Sequence, residues 1–265
     1  MTSTLDHRFS ARRTAGLTRW NAVLLSRNRL ALFYAAVLPL LPLAALLLGE
    51  RGSPATGAFA IITTFLVIAL FPFYYNVLSQ FVSRRDELVL KRMRTGESRD
   101  AELLVSIALP GAAIALLLAV IVIPIAAALG QPLPVNPVLY AVTAVLAVTM
   151  FTAFAYWTAG WTKNAEAAQL TSMPIIILAS IGPMTSTIPT MPDLLRDILS
   201  RTPGAAMSDL IRLGWFGYEG PQATQATLTF AGTWGQAAGP LLVMVAWTIA
   251  AITLARRSIR WEPRT

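Results

Sequence analysis

LLVSIALPGAAIALLLAVIVIPIAAAL, residues 103–129, runs for 27 positions without one Asp, Glu, Lys, Arg or His. Crossing about 30 Å of hydrocarbon takes about 20 apolar residues at the helical rise of about 1.5 Å. This segment is long enough to span with tilt. Five further stretches share its character: residues 30–49, 57–82, 138–161, 169–189 and 239–255. The 169–189 stretch is interrupted by Pro174, Pro183 and Pro189 and is dense in Ser and Thr. It reads as a kinked or broken span packed inside the protein, where neighbouring helices satisfy the freed backbone groups.

The whole composition agrees. Of 265 residues, 55% are hydrophobic and 13% charged, and the mean hydropathy is +0.61. Soluble domains carry about 25% charged residues, so a soluble enzyme and a disordered chain are both excluded. The expected fold is an all-α integral membrane protein, a single transmembrane domain over residues 1–265 with six transmembrane helices. Residues 1–29 are polar and Arg-rich with no cleavage pattern, so the first span reads as a retained anchor.

Placement of the basic residues orients the chain. Two lysines and nineteen arginines face thirteen acidic residues, for a net charge of +8. With six spans threaded, seventeen of the basic residues fall in the N-terminal tail, the 83–102 connection, the fourth connection and the C-terminus. Four, Arg51, Arg196, Arg201 and Arg212, fall on the other side. By the positive-inside rule both termini are expected in the cytoplasm of a bacterial inner membrane. The basic residues then form a juxtamembrane collar for anionic lipid headgroups, and nucleic acid is not an expected partner. Trp157, Trp161 and Trp261 fall at inner span ends and Trp234 at an outer one, as interfacial anchors do.

Three soluble segments carry information. Residues 16–29 place Leu17, Trp20, Val23 and Leu24 on one face with Arg19, Arg27 and Arg29 beside them, which predicts a helix lying in the membrane plane. Residues 83–102, SRRDELVLKRMRTGESRDAE, pair Glu87 with Lys91 at i, i+4 and predict a short charged helix ending near Gly96. It reads either as a solvated connector or as a docking helix for a cytoplasmic partner. Residues 190–237 form a long outer segment with two short amphipathic helices, one through Leu194, Leu195, Ile198 and Leu199, the other through Met207, Leu210 and Ile211.

Several chemistries are absent. Cysteine is missing, and the one histidine, His7, lies in the polar tail. The chain has no phosphate-binding loop, no nucleophile elbow and no His-Glu-x-x-His helix. No catalytic residue and no metal ligand is expected. An ion-coupled transporter buries at least one ionisable group at mid-membrane, and the six stretches hold none. Such a protein needs an external source of energy, and hence a partner. A standalone secondary transporter or channel is the alternative, but the halves show no convincing repeat.

At SRRDELVLKRMRTGE the chain resembles the type 2 permeases of ABC transporters, in which an acidic-basic helix between spans 2 and 3 is followed by Lys-Arg-x-Arg-Thr. The six spans, the amphipathic N-terminal helix, the Ser-, Gly- and Pro-rich SIGPMTSTIPTMP and the ending RSIRWEPR extend the resemblance to small actinobacterial members. The resemblance implies a half-transporter without a nucleotide site of its own, pairing with a second permease subunit above two copies of an ABC ATPase that carry the ATP and Mg. It implies that residues 86–94 act as the coupling helix, with Asp86, Glu87, Lys91, Arg92 and Arg94 toward the ATPase and residues 17–29 touching it as well. Many members carry Gly two residues after the acidic position, where this chain reads Glu87-Leu88-Val89-Leu90. Export of an amphiphilic molecule, drug-like, antibiotic, peptide or lipid-like, is the implied activity. The cargo path is expected to be lined by Asn76 and Gln80 in span 2 and by Ser180, Thr185, Ser186 and Thr187 in span 5.

Overall fold

A computed structural model of the chain describes residues 9–94, 99–183, 191–218 and 227–262. Among these residues the fold is helical throughout, with no strand. Helix α1 (Ala11–Arg27) starts at Ser10, whose side chain accepts from the Arg13 amide. Asn28 closes it and caps α2 (Arg29–Ala36) by accepting from the Ala31 amide. A 3-10 segment (Leu38–Ala44), where Pro39 and Pro42 prevent regular α bonding, and α3 (Ala45–Leu48) complete the first apolar segment. The second is one continuous rod made of α4 (Pro54–Ile68), a π segment (Ala69–Tyr75) around Pro72, and α5 (Asn76–Asp86). Beyond it come α6 (Val89–Arg94), α7 (Asp100–Ala128) and α8 (Pro137–Trp161). The short α9 (Ala167–Thr171) and α10 (Met173–Ile181) precede α11 (Asp193–Ser200), α12 (Pro203–Phe216) and α13 (Phe230–Ser258).

Five segments are long and apolar enough to cross a membrane: Arg29–Leu48, Pro54–Asp86, Asp100–Ala128, Pro137–Trp161 and Phe230–Ser258. The second and fourth of these are the most enclosed and form the centre of the bundle, and the first and last are mostly open to their surroundings. The fifth predicted stretch differs. Its described part is the broken apolar run Ala167–Ile181, about 22 Å at 1.5 Å per residue and short of the hydrocarbon thickness. Residues 184–190, including Thr185, Ser186 and Thr187, lie outside the described residues.

The two helices expected in the 190–237 segment have opposite characters. Helix α11 is amphipathic, with no buried residue and with Leu194, Leu195 and Ile198 exposed. Helix α12 is buried along nearly its whole length rather than on one face, which corrects the expectation of a second amphipathic surface helix. Its C-terminal end is fixed where Asn136 and Val135 donate to the carbonyls of Gly214 and Trp215 and Leu228 donates to that of Gly217. Its N-terminal end is fixed where the Trp247 indole donates to the Arg201 carbonyl at 2.8 Å. Phe230 and Trp247 are about 25 Å apart along α13 at the helical rise, so α12 runs beside α13 inside the bundle for most of that length. Gly204 makes this possible, because a Cβ there would run into the Ala179 carbonyl. The insertion carries Arg212, which is buried and donates to Asp209 at 3.0 Å. Charge therefore enters the bundle through a helix that is not one of the predicted spans.

Helix α1 is held to α7 by polar contacts. Proline has no N–H, so Pro110 leaves the Ser106 carbonyl without its i+4 donor. The Asn21 side chain fills that gap, donating to Ser106 O at 2.7 Å in a buried setting. One helical turn before Ser106, the fully buried Glu102 carboxylate receives the Arg13 guanidinium through two bonds of 3.1 and 3.0 Å, as well as the Ser10 and Arg99 amides. The face of α1 turned to the bundle is Thr14, Asn21 and Leu25, and Trp20 and Leu24 are left exposed on the other side. Of the predicted apolar face, Trp20 and Leu24 are exposed and Leu17 and Val23 are half-buried.

Replacing Asn21 with Leu is expected to lower stability by about 1–3 kcal/mol, because a buried carbonyl loses its donor. In a Pro110→Ala background, where the backbone N–H is restored, the same replacement is expected to cost at least about 1 kcal/mol less. Thermal unfolding of the four proteins of this cycle in detergent checks the coupling, and additive effects would contradict it.

Candidate functional site

Two features adjoin at the end of the bundle where α2, α5 and α9 meet: a cavity and a charged turn. The cavity measures about 580 Å³, within the range of pockets that hold drug-sized molecules. Span 1 and the Asn28 cap before it contribute Asn28, Leu30, Ala31, Tyr34 and Ala35, and span 2 contributes Phe71, Tyr75, Asn76 and Ser79. The remaining wall is Gln169, Ser172, Met173 and Ile176 from α9 and α10. The π segment shapes this wall. Its looser winding lets the Pro72 carbonyl lie against Gly111 of α7, where a Cβ would not fit.

From that point a polar ladder descends one face of α5 at helical spacing. Asn76 donates to the Pro72 carbonyl at 3.3 Å, Gln80 to Asn76 at 2.8 Å, and Arg84 to Gln80 at 3.1 Å. Asn76 lines the cavity, and Gln80 stands behind it as the group that orients its carboxamide. Ser180 is half-buried one turn beyond Ile176 and outside the cavity lining. The cavity brings together Asn76 with Tyr34, Tyr75, Ser79 and Gln169, which sequence reasoning did not single out. Tyr34 and Gln169 lie more than a hundred residues apart, and only the packing of α2 beside α9 and α10 joins them.

The charged turn follows directly. Helix α5 ends at Asp86, Glu87 caps it, and Leu88 takes a left-handed conformation at φ 58° before α6 begins. Asp86 therefore closes the long rod of span 2 instead of opening the short helix. Arg85 is fully buried beneath the turn. Its guanidinium donates to the carbonyls of Ala159, Thr162 and Lys163 at 2.8, 2.7 and 2.9 Å, the C-terminal carbonyls of α8, where a cation also meets the negative end of the helix dipole. Leu90 is fully buried and pins α6 from below. The chain after α13 returns over the same place: Trp261 packs edge-on against Phe81 at 5.8 Å, and Lys91 pairs with Glu262 at 2.9 Å. Lys91 is thus bonded to Glu262 and not to Glu87 as its spacing suggested. Glu87, Lys91 and Arg92 are exposed, and the side chain of Arg94 lies outside the described residues.

A sequence profile described as ABC-2 family transporter protein matches residues 33–257, which runs from within the first apolar segment to near the end of the last and includes the charged turn. The chain belongs to the ABC-2 family. No curated protein matches it. As an ABC-2 permease it is a multi-pass membrane subunit of an ABC transporter, and its charged turn lies between the second and third apolar segments.

Two expectations follow for the turn of this permease. Arg85→Leu removes three bonds to buried carbonyls and is expected to lower stability by about 3 kcal/mol; Arg85→Lys, which keeps the charge but not the planar fork, is expected to fall between. Thermal unfolding in detergent orders the three proteins. At Leu88 a glycine relieves the left-handed strain but adds freedom to the unfolded chain, so Leu88→Gly is expected within about 1 kcal/mol of the native protein. Leu88→Ile, β-branched at positive φ, is expected to be clearly less stable. Equal loss in both variants would show that the backbone at Leu88 is not left-handed.

Proposed function

We propose that this permease is the membrane-spanning half of an ATP-driven exporter that moves amphiphilic small molecules out of a bacterial cell. Its energy comes from a separate ABC ATPase, which binds and hydrolyses ATP with Mg. Two permease subunits and two ATPases make the working assembly, with the second permease either a copy of this chain or a paralogue. Both termini and the charged turn face the cytoplasm, in keeping with the excess of Lys and Arg on that side.

The observation that carries this reading is the exposed Glu87, Lys91 and Arg92 surface fastened to the bundle from below. Arg85 ties the turn to the end of α8, Leu90 ties α6 to the core, and the chain after α13 is tied to α6 by the Lys91–Glu262 pair and to α5 by the Phe81–Trp261 contact. A displacement of α6 by a docked ATPase is therefore passed to three span ends together. ATP-driven closure of the two ATPases brings the two α6 helices toward each other, and the spans reorient as rigid bodies around the cavity beside them. Asp86, Glu87, Lys91, Arg92 and Arg94 form the coupling surface in this scheme, and Asn76 with its neighbours on span 2 and α10 meets the cargo.

The test is a mild-detergent pull-down of the tagged permease from its native host, with bound proteins identified by mass. A stoichiometric ATPase carrying a phosphate-binding loop is expected, and it is expected to be lost on Glu87→Arg or Arg92→Glu. Both positions are exposed, so neither change disturbs packing. Recovery of the permease alone, under conditions where a known ABC complex survives, would shift the assignment to a standalone transporter.

A further inference from the structure

Among the described residues, the cavity between span 1, span 2 and α9–α10 is walled by thirteen, none of them Asp, Glu, Lys, Arg or His. Its polar groups are three carboxamides, two serine hydroxyls and two phenols. Several are already in use. Asn28 caps α2 and Ser172 donates to the Gln169 carbonyl. Asn76 is held from both sides by Pro72 and Gln80. The hydroxyls of Tyr34, Tyr75 and Ser79 and the side-chain amide of Gln169 are left for a guest, with Phe71, Leu30, Met173 and Ile176 as apolar wall.

We infer that the cavity selects uncharged amphiphiles: molecules with an aromatic or aliphatic body and neutral hydrogen-bonding groups, taken in preference to permanent cations and anions of the same shape. This deepens the reading of the cavity as a cargo site and rests on it. The physical ground is desolvation. An ion entering an apolar pocket loses its hydration and needs a counter-charge or several strong donors to replace it. The lining supplies no counter-charge for either sign. The nearest cation along span 2, Arg84, is spent on Gln80 two helical turns from Asn76 and does not line the space. The attraction of aromatic faces for a cation is small beside the desolvation of an unpaired ion. A neutral guest loses little on entry, and each of its donors or acceptors has a free hydroxyl or amide to meet.

The inference is tested by binding alone, without an ATPase. Three dansylamide probes share one octyl chain and differ at its end, which is a hydroxyl, a trimethylammonium or a sulfonate. Binding to the full chain in nanodiscs of zwitterionic lipid is read by energy transfer from tryptophan, with empty discs subtracted. The hydroxyl probe is expected to bind at least about tenfold tighter than either ion, a difference of about 1.4 kcal/mol. Gln169→Glu, which places a carboxylate in the cavity with almost no change of shape, is expected to raise affinity for the trimethylammonium probe above that for the hydroxyl probe. Ser79→Asp makes the same change from the opposite wall and serves where the first variant does not fold. Equal binding of all three probes to the native chain overturns the inference, as does an order that neither carboxylate alters. Loss of the ATPase in the pull-down with this order of probes intact would overturn the driving partner and leave the selectivity standing.

Discussion

Inside hydrocarbon, every carbonyl or amide left over at a break in a helix has to be satisfied by the protein itself. This permease breaks its helices often, and the answers to those breaks organise its fold. The Pro110 gap in α7 is filled by Asn21 of α1. The π segment around Pro72 presents its carbonyl to Asn76. The last carbonyls of α8 receive Arg85. Backbone oxygens of α7 at Ala119 and Leu104 accept from the phenols of Tyr140 and Tyr156 on α8. Pro132, in the link between α7 and α8, receives the Trp215 indole of α12. Contacts that look like scattered polar decoration are thus the bonds that set which helix lies beside which.

The same bonds decide which parts move together. A span held only by apolar packing slides at small cost, since lipid tails are as apolar as a leucine. A span whose leftover carbonyls are bonded to a neighbour cannot slide without exposing them. By this measure span 2, α8 and the end of α13 form one body at the charged turn, through Arg85, the Tyr74–Thr158 hydroxyl pair and the Phe81–Trp261 contact. Span 1 and α10, on the far side of the cavity, are joined to that body mainly by packing. The cavity therefore lies on the seam between a braced part and a freer part, which is where a change of volume costs least.

Much of this fold is legible in the sequence, because the signals for it are long and additive. Apolar runs such as 103–129 need no tertiary context, and SRRDELVLKRMRTGE marks the charged turn by its residues alone. The illegible parts depend on pairings between distant residues. Helix α12 reads as amphipathic because Arg212 and Asp209 interrupt its apolar residues, yet the two bond to each other three residues apart and enter the bundle as a pair. Glu87 and Lys91 have ideal spacing for a pair, but Leu88 turns the chain between them and Glu262 takes the lysine. Asn21 reads as one polar residue on an interfacial helix, and its role appears only once Pro110 lies beside it. For the cavity, Asn76 was legible as the one amide in an apolar stretch ahead of Gln80. Tyr34 and Gln169 carried no signal of their own.

Leu88 brings the two halves of the site together. A leucine at positive φ costs roughly 1–2 kcal/mol relative to an ordinary conformation, and the fold retains it because Arg85, three residues before, and Leu90, two residues after, are both fully buried. Their burial fixes the two ends of the turn, so the strain is held by the same residues that brace α6 against the bundle. A glycine would make the turn easily and also let it flex. A leucine leaves the turn fewer backbone conformations and so makes it stiffer. From Arg85 the path to the cavity is short: Arg84 is its neighbour in sequence, and Gln80 and Asn76 follow on successive turns of one helix. The charged turn and the span 2 side of the cavity wall are therefore joined through the last three turns of one helix.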